Sequence, residues 1–120
     1  MKILIVDDSR VMRQIVTRTL RQAGYSGHDV VEAGNGREGL DAVAAHGPDL
    51  VLSDWNMPEM NGIDLLHALR ATGQAVPFGF VTSEGSPEML TRAEQAGALF
   101  VITKPFTPEA FRATLDPVIG

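Results

Sequence analysis

Asp49-Leu50-Val51-Leu52-Ser53-Asp54-Trp55-Asn56-Met57-Pro58-Glu59-Met60-Asn61-Gly62 is the stretch whose reading decides the fold. Leu50, Val51 and Leu52 form a continuous apolar run bounded by polar residues, the pattern of a strand buried on both faces. Pro58 and Asn61-Gly62 then mark an irregular loop, and a helical pattern opens at Ile63. The unit is strand, loop, helix, with Asp54 where the strand leaves the core. A carboxylate at the carboxyl end of a parallel strand lies in the crevice where open α/β sheets bind ligands. Asp54 is therefore the first candidate for a reactive group.

The same rhythm runs in both directions from this unit. Residues 2 to 7 predict a first strand ending at Asp7-Asp8, and Ser9 offers an N-cap for a helix with Val11, Met12, Ile15, Val16, Thr19 and Leu20 at helical spacing. That helix is expected to end near Ala23-Gly24, with a turn over Tyr25 to His28. Asp29 to Ala33 is a second strand, less apolar and so suited to an edge. Asn35-Gly36-Arg37-Glu38 resembles a capping box, with Leu40, Val43 and Ala44 following on one helical face until Gly47-Pro48 stops it. Beyond the central unit, a helix over Ile63 to Ala71 carries Leu65, Leu66 and Leu69. A strand over Val76 to Val81 follows and ends at Thr82-Ser83. Ser86-Pro87-Glu88 starts the next helix with a cap, a first-turn proline and an acid at the positive dipole end, and Gly97 stops it. Leu99 to Ile102 is the fifth strand. Thr107-Pro108-Glu109 starts a last helix whose inner face is set by Phe111 and Leu115. Strand and helix alternate five times with short connections, which demands right-handed crossovers and a parallel sheet covered on both faces.

Length and composition set the bounds. A chain of 120 residues suits one domain, residues 1–120, able to bury about two thirds of its unfolded surface. Apolar residues at 44% and charged residues at 21% argue against disorder. The net charge of −5 disfavours non-specific binding to nucleic acid or an anionic membrane. Without cysteine there is no disulfide framework, thiolate metal site or thiol chemistry. The opening Ile3-Leu4-Ile5-Val6 is too short for a signal-peptide core and no run approaches a membrane span, so the expected location is cytoplasmic.

In a parallel sheet the ends of the strands share one edge, so Asp7-Asp8, Asp54, Thr82-Ser83 and Lys104 are predicted to converge. Three carboxylates meeting there repel one another unless a cation compensates. Mg²⁺ suits such a site, because it takes oxygen ligands and is usually held by one or two carboxylates plus phosphate oxygens. With Asp8 and Asp54 on the metal, Lys104 and the Thr82 hydroxyl can neutralise charge spreading over a phosphoryl group. Asp54 is then placed to attack phosphorus and become an acyl phosphate.

Val6-Asp7-Asp8-Ser9, Asp54-Trp55-Asn56-Met57-Pro58 with Asn61-Gly62, Val81-Thr82-Ser83-Glu84, Gly97-Ala98 and Lys104-Pro105-Phe106 together resemble the receiver domains of two-component response regulators, most closely the stand-alone chemotaxis receiver. The resemblance covers the whole chain, and the set is far more specific than any one motif. It implies a flavodoxin-like, doubly wound α/β fold with five helices and strand order 2-1-3-4-5, an order for which the chemotaxis receiver is itself a standard example. It implies that Asp54 accepts a phosphoryl group from a phosphohistidine of a sensor histidine kinase or phosphotransfer protein. Asp8 and Asp54 would hold Mg²⁺ directly, the backbone carbonyl of Asn56 would be a further ligand, and Asp7 would act mainly through a bound water. Lys104 would contact the phosphoryl group and the Thr82 hydroxyl would move to meet it. The Lys104-Pro105 bond is cis in the family. Asn56 and Glu84 would border the path of the attacking water, and a short-lived phosphoryl state is expected.

One position departs from the family pattern. Val101 stands three residues before the lysine, where many receivers carry Tyr or Phe as a switch coupled to the threonine. Phe100 is adjacent, but strand neighbours point to opposite faces, so it does not simply substitute.

Each residue also has a plainer reading. Asp7-Asp8 alone reads as a helix-capping pair, Lys104 alone as a solvated lysine, and Thr82-Ser83 as a turn. It is the combination that reverses these readings. Trp55 is either a packing residue or a flank of the site. Met12, Met57, Met60 and Met89 fit core filling or an adaptable contact surface rather than a metal role, and His28, His46 and His67 lack ligand spacing.

The expected function is thus a phosphorylation-dependent switch, catalysing only its own phosphorylation and dephosphorylation. Its downstream protein target would be met by the face of the fourth helix and fifth strand. With no DNA-binding segment in these residues, output by protein contact is expected. Two alternatives remain. One is a Mg²⁺-dependent aspartyl-nucleophile phosphohydrolase, whose haloacid dehalogenase type uses Asp-x-Asp and a cap, whereas here the acids are adjacent. The other is a phosphorylation-independent binding module on the same fold.

Overall fold

The apolar runs become strands buried on both faces: β1 (Lys2–Val6), β3 (Leu50–Ser53) and β4 (Phe78–Thr82). The computed structural model describes residues 1–119. With β2 (Asp29–Ala33) and β5 (Phe100–Thr103), these strands form one parallel sheet in the order β2-β1-β3-β4-β5. The order matches the expectation, and β2 with its polar alternation lies at an edge. The fold is the flavodoxin-like doubly wound one.

Each helix begins where a short polar side chain satisfies orphan backbone amides. Ser9 caps α1 (Arg10–Leu20), Asn35 caps α2 (Gly36–His46), Asn61 caps α3 (Gly62–Ala71) and Ser86 caps α4 (Pro87–Gln95). Glu38 completes a reciprocal cap on α2 by accepting from the Gly34 amide at 3.2 Å. The last helix, α5, spans Pro108–Ile119. α1 and α5 cover one face of the sheet, packing Val16, Leu20, Phe111 and Leu115 on Ile3, Ile5, Leu50, Leu52 and Ile102. α2, α3 and α4 cover the other, with Val43, Leu65, Leu66, Leu69 and Ala93 on Leu4, Val6, Val51, Phe78 and Phe80.

Several boundaries and faces differ from those predicted. Val11 is 63% exposed and faces away from the core, while Met12 and Ile15 are only half-buried. The inner face of α2 is Gly36, Gly39 and Val43 rather than Ala44, and at 39 the side chains of Val6 and Leu65 come so close that a methyl group would have to push them aside. β1 ends at Val6, one residue short of Asp7. β4 starts at Phe78 rather than Val76: proline has no N–H for a ladder, and Pro77 contributes only its carbonyl, accepting from Val51 at 2.9 Å. β5 is shifted one residue on, since Leu99 is 57% exposed at its approach. After α1 the chain kinks within Arg21–Tyr25 at Gly24, whose φ of 103° is a left-handed conformation that suits glycine.

The loop that follows Asp54 is anchored by backbone packing at two glycines. A methyl group on Gly62 would strike the Asp54 carbonyl oxygen, and one on Gly36 would strike that of Met60, whose oxygen accepts from the Gly36 amide at 3.1 Å. The starts of α2 and α3 thereby fix the path of the loop.

Candidate functional site

Register places the functional side chains. The Asp54 amide donates to the Val6 carbonyl at 2.8 Å and the Lys104 amide to the Thr82 carbonyl at 2.8 Å, so the sheet ladder runs up to each residue. Asp7, Asp8 and Asp54 come together with carboxylate oxygens within 4.8 Å of one another. Lys104 reaches in from β5, its Nζ 3.1 Å from Oδ2 of Asp7 and 3.4 Å from Oδ2 of Asp54. The Lys104–Pro105 peptide is cis.

The three acids are not equivalent. Asp7 is 3% exposed and fully engaged: its amide donates to Ala33, its Oδ1 accepts from the Ser9 amide and its Oδ2 from Lys104. Its carbonyl accepts from the Arg13 guanidinium at 2.6 Å. Asp54 is half-buried, with Oδ1 accepting from the Trp55 amide at 2.7 Å. Asp8 is exposed, and among the described residues its carboxylate makes no hydrogen bond or ion pair. Three carboxylates against one ammonium leave the cluster anionic, and every donor is a hard oxygen. That chemistry fits Mg²⁺: the Asp8 carboxylate is unengaged among the described residues, and each Asp54 oxygen keeps a lone pair beside the one bond it accepts. The Asn56 carbonyl lies on the loop directly after.

Thr82, at the end of β4, is 0% exposed, and its hydroxyl accepts from the Glu84 amide at 3.2 Å. That bond uses one lone pair of the hydroxyl and leaves its proton to donate. Glu84 in turn meets Asn56 across the mouth of the site, Nδ2 to Oε1 at 3.0 Å. The side chains expected to flank the opening therefore touch each other.

Trp55 resolves to a core residue. It is 6% exposed, its ring centroid is 4.8 Å from that of Phe80, and the Arg92 guanidinium of α4 lies 5.5 Å over its face. Val101 packs on the α4 side of the sheet and Phe100 on the α1/α5 side, so the two do face opposite ways. The Phe100 ring occupies the space above Gly79. Between α4 and β5 a groove of about 340 Å³ is lined by Leu90, Ala93, Glu94, Leu99 and Val101. A second, apolar groove of about 440 Å³ lies beside Lys104, lined by Met12, Ile15, Ser83, Pro105 and Phe106. The sequence reads Met12 and Ile15 as apolar positions at helical spacing, a period that is the same whether the face meets the sheet or a groove, and Met12 as core filling or adaptable contact surface. Sequence reasoning missed Arg13 altogether, because an arginine on a helix ordinarily reads as solvated.

The comparisons with known proteins follow the same line. The family model for the response regulator receiver domain matches residues 3–116. The chain is similar to the chemotaxis protein CheY1 of Helicobacter pylori, at 42% identity covering 100% of this chain and 98% of that protein. It is 42% identical to the chemotaxis protein CheY homolog of Campylobacter jejuni over 100% of this chain and 93% of the relative. Among solved structures, the chemotaxis protein CheY4 of Vibrio cholerae superposes with a TM-score of 0.86 at 39% identity, covering 98% of each chain. A sheet order, a rim of acids under one lysine and full-length identity at this level converge on one assignment: the chain belongs to the response regulator receiver domain family.

Proposed function

We propose that the protein is a phosphoacceptor response regulator of chemotaxis or a similar phosphorelay, in which residues 1–120 act as one receiver domain and Asp54 is the acceptor. The observation that carries this reading is the single Lys104 ammonium shared by Asp7 and Asp54 beside the exposed Asp8. An Asp54 carboxylate oxygen forms a bond to phosphorus while the bond from phosphorus to the imidazole nitrogen of a phosphohistidine breaks. The electron pair returns to the donor ring. Hydrolysis reverses the state: a water oxygen bonds phosphorus, inorganic phosphate leaves and the Asp54 carboxylate is restored. Asp8, Asp54 and the Asn56 carbonyl would hold Mg²⁺, with Asp7 acting mainly through a bound water, and the ion would supply neutralisation of the phosphoryl oxygens. Lys104 shares that neutralisation, and the Thr82 hydroxyl, whose oxygen accepts from the Glu84 amide, moves to donate its proton to a phosphoryl oxygen.

The protein then acts as a switch rather than an enzyme on external substrates, its chemistry confined to Asp54. The donor is a sensor histidine kinase or phosphotransfer protein, and the target is a protein met at the α4/β5 face, where Leu90 and Leu99 stand exposed beside the groove. The acidic net charge supports protein partners over nucleic acid or membrane, and cytoplasmic residence accords with such partners. Among the described residues no helix is long and apolar enough to cross a membrane. With Val101 at the usual aromatic position, Trp55 offers another route for readout, since it follows Asp54 directly and lies under Arg92 of α4. Val101 is also the feature favouring a phosphorylation-independent binding module as second reading. The family match favours the switch over the phosphohydrolase.

The test follows Trp55 fluorescence on adding Mg²⁺ and then an acyl phosphate donor. The natural protein should respond to both, and Asp54→Ala should lose the response to the donor. Equal responses from the two would remove Asp54 as acceptor.

A further inference from the structure

The geometry points to Arg13 as a positioning residue for the cation site, acting on Asp8 through the peptide that joins Asp7 to Asp8. This rests on the proposed Mg²⁺-dependent reading of the site. The Asp7 carbonyl and the Asp8 amide belong to one rigid plane, so whatever grips that oxygen fixes the direction in which Asp8 leaves the strand. Arg13 grips it at 2.6 Å through Nη1, while its Nε is held 2.9 Å from Oε1 of Glu32 on the edge strand. Two nitrogens of one planar guanidinium are thereby tied to β2 and to the end of β1, a geometry that a lysine point charge does not reproduce. The Arg13 side chain is largely buried at this position while Glu32 is exposed. Asp8 needs this indirect hold, because among the described residues its own carboxylate is tied to nothing. Glu32 has a second effect: it offsets a positive charge that would otherwise oppose a cation at the neighbouring acids.

Charge and positioning predict opposite signs, which makes the inference testable. Deleting a cation close to a metal site should tighten Mg²⁺ binding if only charge mattered. Loss of a residue that orients a ligand should weaken it, on the order of tenfold for an outer partner of a metal ligand. The experiment is calorimetric Mg²⁺ titration of the natural protein, Arg13→Ala, Arg13→Lys and Glu32→Gln, each melted first without metal to establish that it folds. The expected result is a dissociation constant raised on the order of tenfold in Arg13→Ala, and raised in Arg13→Lys although the charge is kept. Glu32→Gln, which retains an oxygen acceptor, should move it less than either. An unchanged or lowered constant in Arg13→Ala would overturn the role of Arg13 and leave the site reading intact. If that variant does not fold, Arg13→Lys decides by the same criterion. Absence of Mg²⁺ binding by the natural protein would instead overturn the site reading and this inference with it.

Discussion

Lys104 donates from Nζ to Oδ2 of Asp54 at 3.4 Å, joining two residues 50 positions apart at the ends of separate strands. The ammonium has two duties at that place: it holds the acids together when no cation is bound, and it is already beside the oxygen that would carry a phosphoryl group. Lys104→Met separates them. Removing one positive charge from an anionic cluster should tighten Mg²⁺ binding at least roughly fivefold, since about 1 kcal/mol is left between two unit charges about 4 Å apart even at the dielectric of bulk water. Phosphoryl uptake from an acyl phosphate donor should fall on the order of 10²-fold. Mg²⁺ titration and single-turnover phosphorylation read the two effects separately, and weaker Mg²⁺ binding would contradict the first.

Asn56 and Glu84 are joined across the mouth of the site at 3.0 Å, and the Glu84 amide also holds the Thr82 hydroxyl. On the proposed reading their pairing orders a carboxylate beside the path of the attacking water, so losing either partner should slow hydrolysis of the phosphorylated state. Asn56→Ala and Glu84→Ala are each expected to lengthen its lifetime several-fold, on the order of 1 kcal/mol, with the double variant no slower than the slower single one. Decay of phosphoprotein followed over time checks both the direction and the lack of additivity. Fully additive effects would mean that the two residues act independently.

Much of this site was legible because strand ends advertise themselves. A continuous apolar run that stops at Asp54, another that stops at Asp7-Asp8 and a third followed by Lys104 can converge in only a few ways once the sheet is parallel. Caps at Ser9, Asn35 and Ser86 were equally plain, since each is a short polar residue followed by helical periodicity, whereas Asn61 reads in the sequence as part of a loop and proves to cap α3. Arg13 and the fate of Trp55 were not. A hydrogen bond from a helix arginine to a strand-end carbonyl depends on how α1 leans on the sheet, and no local pattern encodes that lean. Val11 failed for a related reason: an apolar residue in the first turn fits the helical period, yet at 63% exposure it joins neither face of the core.

Gly79 and Phe100 supply a stability prediction away from the site. They are paired in register on β4 and β5, and the Phe100 ring fills the space above Gly79 so closely that a methyl group there would overlap it. Gly79→Ala should cost about 1–3 kcal/mol through overpacking. Phe100→Ala loses buried area of its own, but adding Gly79→Ala to it should cost almost nothing. The cycle, measured by urea unfolding, should therefore show coupling of more than about 1 kcal/mol. Additive penalties would mean that the strain at 79 comes from the backbone and not from the ring.

Tyr25, the single tyrosine, fastens the turn after α1 to the end of α5 by donating its hydroxyl to Asp116, while Arg112 donates from Nε to the Ala23 carbonyl at 3.0 Å. Burial pushes its phenol up to about 12, with the hydrogen bond to Asp116 and the negative charge of that carboxylate adding to the effect and Arg112 opposing it. The sign follows from linkage. The folded protein keeps the phenolic proton to higher pH than the unfolded chain, whose tyrosine ionises near 10.0, so the contribution is complete below pH 10 and is lost as pH rises toward 12. Spectrophotometric titration should find the tyrosinate appearing near the higher value in native protein and near the lower one in urea. Tyr25→Phe should lower stability by about 1 kcal/mol at neutral pH, the worth of one buried hydrogen bond. The stability difference between natural protein and variant should then shrink between pH 10 and 12. A difference that stays constant across that interval would mean that Asp116 does not hold the phenolic proton.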